Sequence, residues 1–232
     1  MMPVIDFHTH VLPEIDDGSK SIEESLEMLR IEARQGIEHV VATPHFYANH
    51  DLPERFLEKR QKAKKKLEDA LETEQGLPKV SVGAEVYFFE GISDCEYLRD
   101  MAIEGTDCVM IEMPMKQWSD RSLRELYEIK QKQKLTPIIA HLDRYITPFT
   151  AKKTLVSLSE LPVIIQVNSR FFTRRTTRGM ALRFLREGRI HLIGSDCHDT
   201  NARLPDVDKA LEVISERGIS YINYTERKIF RE

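Results

Sequence analysis

Seven short runs of aliphatic and β-branched residues are spread along the chain, and nearly every one closes on a burst of histidine or carboxylate side chains. Few folds can satisfy that pattern. The runs fall around residues 3–7, 38–43, 80–86, 107–113, 136–141, 163–168 and 190–195. Several, such as Val163-Ile164-Ile165-Gln166-Val167, are almost unbroken apolar stretches, as expected of strands covered on both faces. Segments with helical spacing lie between them. Ser21 opens one, with Glu24 placed as a capping box, Ile22, Leu26 and Leu29 as an apolar stripe and Gly36 as the stop. The segments 53–74, 120–133, 178–187 and 205–217 continue the alternation. Strand and helix alternating through short connections imply parallel strands and right-handed crossovers. The expected architecture is α/β, one domain over residues 1–232, a TIM-like barrel with seven strands rather than eight.

Composition narrows the partners. A length of 232 residues accommodates one large α/β domain with a substantial core. The net charge of −4 implies no general attraction to nucleic acid or to an anionic membrane. No signal peptide is visible at the N-terminus, and no apolar run approaches the ~18 residues of a membrane span. Cys95, Cys108 and Cys197 have no CxxC spacing, which argues against a disulfide framework or a thiolate zinc site and for a reducing, cytoplasmic setting.

In a parallel barrel, side chains at strand exits meet on one rim however far apart they lie in sequence. His8 and His10, two apart on an extended segment, face the same way and suit one metal ion. Asp6 is a candidate to orient one of those rings. Asp17, in Asp16-Asp17-Gly18, is either a ligand or part of a plain turn. His45 follows Thr43-Pro44 and is either a ligand or a surface loop histidine, as His50 is expected to be. Glu85 ends an apolar run, where a carboxylate needs a metal, an arginine or water, and Glu112 follows the same logic. His141 precedes Arg144 by three residues, and that guanidinium can grip two phosphate oxygens or pair with a local acid. Asp196 and His198 close the last run. These nine candidates suffice for two or three divalent ions. The four carboxylates against three divalent ions leave a surplus of two positive charges, which suits a phosphomonoester dianion; two ions would leave none.

With these residues in hand, the chain resembles the PHP (polymerase and histidinol phosphatase) superfamily, and more narrowly the CpsB/YwqE type of bacterial metal-dependent protein-tyrosine phosphatase encoded with capsule or exopolysaccharide genes. Nearly the whole chain takes part. The motifs, in order, are Asp6-Phe7-His8-Thr9-His10, Leu12-Pro13-x-x-Asp16-Asp17-Gly18, Ala42-Thr43-Pro44-His45, Gly83-Ala84-Glu85, Glu112-Met113-Pro114, Ala140-His141-x-x-Arg144-Tyr145 and Ser195-Asp196-x-His198. The resemblance implies a distorted (β/α)7 barrel of the PHP type with a trinuclear site. It would place His8, His10, Glu85 and Asp196 on a first metal, Glu85 with Glu112 and His141 on a second, and Asp17, His45 and His198 on a third. Arg144 and Arg203 match arginines that contact the substrate phosphate. Manganese is the implied cofactor, three ions per chain, although such ligands also accept iron, zinc or cobalt. The implied reaction is hydrolysis of phosphotyrosine by in-line attack of a metal-bound hydroxide. The implied partner is the phosphotyrosyl tail of a membrane-associated bacterial tyrosine kinase that controls polysaccharide synthesis, with no nucleic acid and no membrane insertion. Glu14, Leu142-Asp143 and Cys197 depart from the usual pattern, which touches loop shape and substrate choice but removes no ligand.

Other readings compete. A small-molecule phosphomonoesterase of the histidinol phosphatase kind is the nearest alternative; a nuclease lacks a basic track, and a non-catalytic metal-binding protein would not need the arginines. Cys197 and Arg203 formally fit the Cys-x5-Arg pattern of thiolate phosphatases, but the loop lacks glycine and carries Asp196 and Asp199, which oppose a thiolate. The Arg60–Lys66 charge run reads as a solvated helix face. Phe46, Tyr47 and Trp118 are candidates to flank a phosphotyrosine ring, as are Phe149, Phe171 and Phe172. Arg170, Arg174, Arg175 and Arg178 are candidates for a basic rim facing an acidic tail.

Overall fold

Parallel pairing dominates the computed structural model, which describes residues 4–115, 118–146 and 156–219. The strands are β1 (Ile5–Thr9), β2 (His39–Ala42), β3 (His45–Phe46), β4 (Lys79–Val82), β5 (Glu85–Tyr87), β6 (Cys108–Glu112), β7 (Thr136–Ile139), β8 (Ile164–Asn168) and β9 (Leu192–Gly194). They pair as β1-β2-β4 and as β3-β5-β6-β7-β8-β9. The ring closes where β9 runs into a parallel bridge between Thr9 and Cys197, with the Asp196 N–H donating to the His8 carbonyl. Because β2 and β3 are two halves of one strand position, as are β4 and β5, seven positions encircle the axis.

Around the ring lie α1 (Ile22–Arg34), α2 (Pro53–Leu71), α3 (Asp120–Gln133), α4 (Arg170–Thr173), α5 (Arg178–Arg186) and α6 (Val207–Ser215). Ser21 caps α1 by accepting the Glu24 N–H, while Glu24 reaches back to the Lys20 N–H rather than to Ser21. Pro53 starts α2, where its missing N–H costs nothing. Side chains alternate along each strand. Ile5, Phe7, Val41, Cys108, Met110, Ile138, Ala140 and Leu192 pack together inside the ring. Val40, Ala42, Val109, Ile111, Ile139 and Ile193 point outward into the larger core under the helices.

Three irregularities distort the barrel, and the first two shape the mouth. A register shift in β1 sets the three-residue step from Asp6 to Thr9 against a two-residue step from Val40 to Ala42. Such a bulge flips the side-chain phase, so Phe7 fills the interior and His8 and His10 above it still face inward. At Pro44 the second strand position breaks; β3 pairs with β5 and leaves β1. The loop Val11–Gly18 enters that gap, with Asp16 Oδ2 accepting the His45 N–H at 3.0 Å. At the opposite end, Ile103 and Glu104 stand between β4 and β6, where the Ile103 N–H meets the Cys108 carbonyl and the Glu104 N–H meets that of Val82. A Cβ on Gly83 would lie 2.9 Å from Ile103, so this wedge requires glycine there.

Candidate metal centre

All nine candidate donors meet at the carboxyl ends of the strands. Glu85, at the head of β5, is fully buried and lies at their centre. Its Oε2 is 3.1 Å from His8 Nε2, 3.4 Å from His10 Nε2 and 3.1 Å from His45 Nδ1, and its Oε1 is 2.8 Å from His141 Nε2. Asp196 Oδ1 stands 3.7 Å from His8 Nε2 and 3.6 Å from His10 Nε2. Glu112, half-buried at the end of β6, has Oε1 3.7 Å from His141 Nε2 and Oε2 3.9 Å from His45 Nδ1. Asp17, exposed on the rim, has Oδ1 3.3 Å from His198 Nε2 and 3.6 Å from His45 Nε2.

Three overlapping groups of donor atoms are compact enough to surround a cation: His8, His10 and Glu85; His45, Glu85 and Glu112; and His10, Asp17, His45 and His198. Two features fit a metal and not a self-sufficient polar network. His8 Nε2 and His10 Nε2 approach each other to 3.2 Å, although neither lone pair gains from the other. His45 Nδ1, Glu112 Oε2 and His198 Nε2 are buried without a hydrogen-bond partner, a state that costs about 1–3 kcal/mol each. Divalent cations would repair both.

Electrostatics agree. Burial alone would raise the Glu85 pKa, but His8, His10 and His141 hold it well below the usual carboxylate range. Burial opposes protonation of His10, yet Asp16 and then Glu85 carry its pKa up to about 10. On the rim, burial and the neighbouring His10 push His198 down to about 4. Burial and then Glu85 raise Glu112. A shell with this mixture of charges is what cation binding with proton release would rearrange.

Several supporting residues escaped the sequence reading. Asp16, not Asp6, orients a candidate ligand ring: His10 Nδ1–H donates to Asp16 Oδ2 at 2.7 Å. Asp6 instead faces α1 and accepts the backbone N–H groups of His8 and Ser195, bracing the two strand exits. Gln166 Oε1 accepts from His8 Nδ1 at 3.3 Å and from the His141 N–H. Its signal was a lone amide inside an apolar run, on the interior face of β8. Asn168 Nδ2 donates to Asp196 Oδ2 at 2.9 Å. His141 and Asp196 both adopt left-handed φ, 31° and 56°, at their strand exits, a strain tolerated where geometry is held by its surroundings. Glu14, where the resembled family often has glycine, also has φ 60°.

Arg144 and Arg203 both reach this mouth and both hold Asp196, Arg144 on Oδ2 and Arg203 Nη2 on Oδ1 at 2.7 Å. Tyr47 packs beside His45 with ring centroids 5.2 Å apart, and Trp118 stands edge-on to Tyr145. Phe46, Phe171 and Phe172 are core residues, not ring clamps, because the alternation of β3 and the inner face of α4 turn them inward. Phe149 lies outside the described residues. Arg178 is withdrawn from the basic rim, since its guanidinium donates to the Phe172 and Thr173 carbonyls. The lysines of α2 are matched by acids, as in Lys62 with Glu58 and Lys64 with Glu104, so that face is a solvated one. Cys197 is buried, and burial with Glu32 and Asp6 drives its thiol far above the usual range. The backbone N–H groups of Asn201, Ala202 and Arg203 already cradle the Asp199 carboxylate, which leaves no thiolate-type phosphate loop.

Comparison with known proteins agrees with this geometry. The family model for capsular polysaccharide synthesis, CpsB/CapC, matches residues 4–231. The tyrosine-protein phosphatase CpsB of Streptococcus pneumoniae is 27% identical over 229 residues, covering 92% of this chain and 90% of the relative. The tyrosine-protein phosphatase YwqE of Bacillus subtilis (strain 168) is 26% identical over 230 residues, covering 95% of this chain and 87% of the relative. A crystal structure from the pair YwqE of Bacillus subtilis and CpsB of Streptococcus pneumoniae, described as metal-dependent tyrosine phosphatases, superimposes with a TM-score of 0.81. It is 25% identical and covers 96% of this chain and 90% of that one.

Proposed function

Because the chain belongs to the CpsB/CapC family of capsular polysaccharide synthesis, we propose that it is a metal-dependent protein-tyrosine phosphatase, a phosphoric monoester hydrolase. The observation that carries the reading is the crowding of His8, His10, Glu85, His141 and Asp196 beside two arginines, with donor atoms left buried and unpartnered. We assign His8, His10, Glu85 and Asp196 to one ion, Glu85, Glu112 and His141 to a second, and Asp17, His45 and His198 to a third. Manganese is the ion proposed, and the charge surplus of three divalent ions over four carboxylates supports that number. Bound there, such ions would polarise phosphoryl oxygens and make water acidic enough to ionise near neutral pH.

The protein's own groups do the rest. Asp16 fixes the His10 ring through Nδ1–H, and Gln166 does the same for His8, so both Nε2 atoms stay aimed at the mouth. Arg144 and Arg203, both held on Asp196, would take up equatorial oxygens of a phosphoryl group in exchange for part of that hold. Tyr47, half-buried beside His45, offers an aromatic wall to the substrate phenol. Tyrosinate leaves readily, so the reading needs no dedicated proton donor. The proposed substrate is the phosphotyrosyl tail of a membrane-associated kinase acting in capsular polysaccharide synthesis, and the proposed setting is the cytoplasm. No helix among the described residues is long and apolar enough to cross a membrane.

The test is hydrolysis by metal-stripped protein reloaded with manganese, comparing a phosphotyrosyl peptide with histidinol phosphate. The expected result is chelator-reversible turnover with the peptide preferred. A clear preference for histidinol phosphate would overturn the substrate class, and full activity after chelation would overturn the metal chemistry.

A further inference from the structure

Beside the metal mouth, and sharing Arg144 with it, lies a separate cavity of about 140 Å³ whose lining among the described residues includes Asp143, Arg144, Asn168, Arg170 and Arg174, with Phe171 and Thr177 completing it. Three arginines line it against one acidic residue. That carboxylate is already engaged, since Asp143 Oδ1 accepts the Asn168 N–H at 2.8 Å. Arg170 donates to the Ala202 carbonyl and lies 4.0 Å from Asp206. Arg174, exposed, is held through its backbone alone, and its guanidinium makes no hydrogen bond or ion pair to any described residue.

The arrangement is unusual for this molecule. The chain as a whole is acidic, and the other dense basic segment, on α2, has its lysines neutralised by Glu58, Glu104, Asp69 and Glu14. From Arg170 to Arg186 the sequence has no acidic residue at all. Like charges gathered around a cavity repel one another, and an anion drawn from outside relieves that repulsion. Arginines gathered around one space suit an oxyanion with paired oxygens, whether carboxylate or phosphoryl. Arg144 connects the two sites: one nitrogen holds Asp196 in the metal mouth while the side chain also lines the cavity.

We propose that this cavity is a second anion subsite, which takes a carboxylate or phosphoryl group borne by the peptide close to the phosphotyrosine being hydrolysed. The subsite rests on the phosphatase reading above and adds a substrate preference to it: a phosphotyrosine in acidic or multiply phosphorylated sequence. Because both sites share one arginine, the second anion belongs within about three residues of the reacting tyrosine, ~10 Å of extended chain.

Steady-state kinetics on manganese-loaded protein test it with three peptides of one sequence, whose phosphotyrosine has neutral flanks, glutamate flanks or a second phosphotyrosine, alongside p-nitrophenyl phosphate. The wild type is expected to show a KM about two- to fivefold lower for the anionic peptides, the scale of a partly exposed charged contact. Arg174→Ala should abolish that preference and leave p-nitrophenyl phosphate turnover unchanged, and Arg174→Glu should invert it. A preference confined to the doubly phosphorylated peptide assigns the subsite to phosphoryl groups, and one shared with the glutamate peptide extends it to carboxylates. An enzyme active on p-nitrophenyl phosphate but indifferent to flanking charge, or an Arg174→Ala variant that keeps the preference, overturns the subsite and leaves the phosphatase reading intact. An enzyme inert toward every phosphoester overturns both.

Discussion

Asp16 is hydrogen-bonded to the metal mouth twice, accepting from the His10 ring at 2.7 Å and from the His45 backbone at 3.0 Å. Through these contacts one exposed-looking turn residue aligns two proposed ligands. Asp16→Asn keeps the size but loses the charge that stabilises the His10 N–H, so metal affinity or kcat/KM should fall about 10- to 100-fold. Metal titration followed by kinetics at saturating metal separates the two effects, and unchanged values in both would refute the role. Glu32 presents the opposite case, a carboxyl buried in α1 within 4.8 Å of Asp6 and Cys197. Burial raises its pKa well above 4.5, and Asp6 adds to the shift. Asp6 spends its charge on the His8 and Ser195 N–H groups, so the pair's proton resides on Glu32. Below about pH 4.5 folded and unfolded chains both keep that proton; above it the unfolded chain releases it first, and folded stability declines up to the raised pKa. Glu32→Gln removes this slope. Its Tm should exceed that of the wild type near pH 8, and calorimetry should find the gap closing toward about pH 4.5. A gap that stays constant with pH would contradict the assignment.

At the scale of elements, β1 and β9 form the seam on which the mouth depends. The bulge in β1 turns His8 and His10 inward, and the close approach of Gly194 lets β9 lie against them. A Cβ on Gly194 would sit 2.6 Å from His8 Cβ and 2.9 Å from Gln166 Nε2. Gly194→Ala must therefore push β1 and β8 apart. Overpacking of this kind costs about 1–3 kcal/mol, and here it should also displace the His8 ring. Urea unfolding of the metal-free variant would register the first effect, and weakened metal binding the second. A variant with wild-type affinity would show that the seam has slack. The short α4 and the turn after it form the other functional element, since they carry Arg170 and Arg174 to the cavity while burying Phe171 and Phe172.

Across the whole molecule, a fully buried Glu85 and four histidines with little or no solvent contact make the metal-free barrel electrostatically costly. Ligands that bind only the folded chain stabilise it by mass action. Chelation should therefore lower Tm as well as stop turnover, and saturating manganese should restore both; a Tm indifferent to chelator would mean that the donors satisfy one another. Residue order already carried much of this picture. Strand periodicity and short connections imply a parallel barrel, and side chains at strand exits converge in any such barrel, so nine candidate donors that meet at one mouth could be named in advance. Phase and environment were not legible. Whether His8 faces inward depends on a bulge set by pairing with β2, and whether Phe46 or Phe171 faces solvent depends on what packs over it. The choice of Asp16 over Asp6 as ring partner, the strained φ of His141 and Asp196, and the gathering of Arg144, Arg170 and Arg174 around one cavity are likewise products of long-range packing. Local sequence dictates which elements form and which chemistry each end carries; only contacts between distant segments set the direction in which each side chain points.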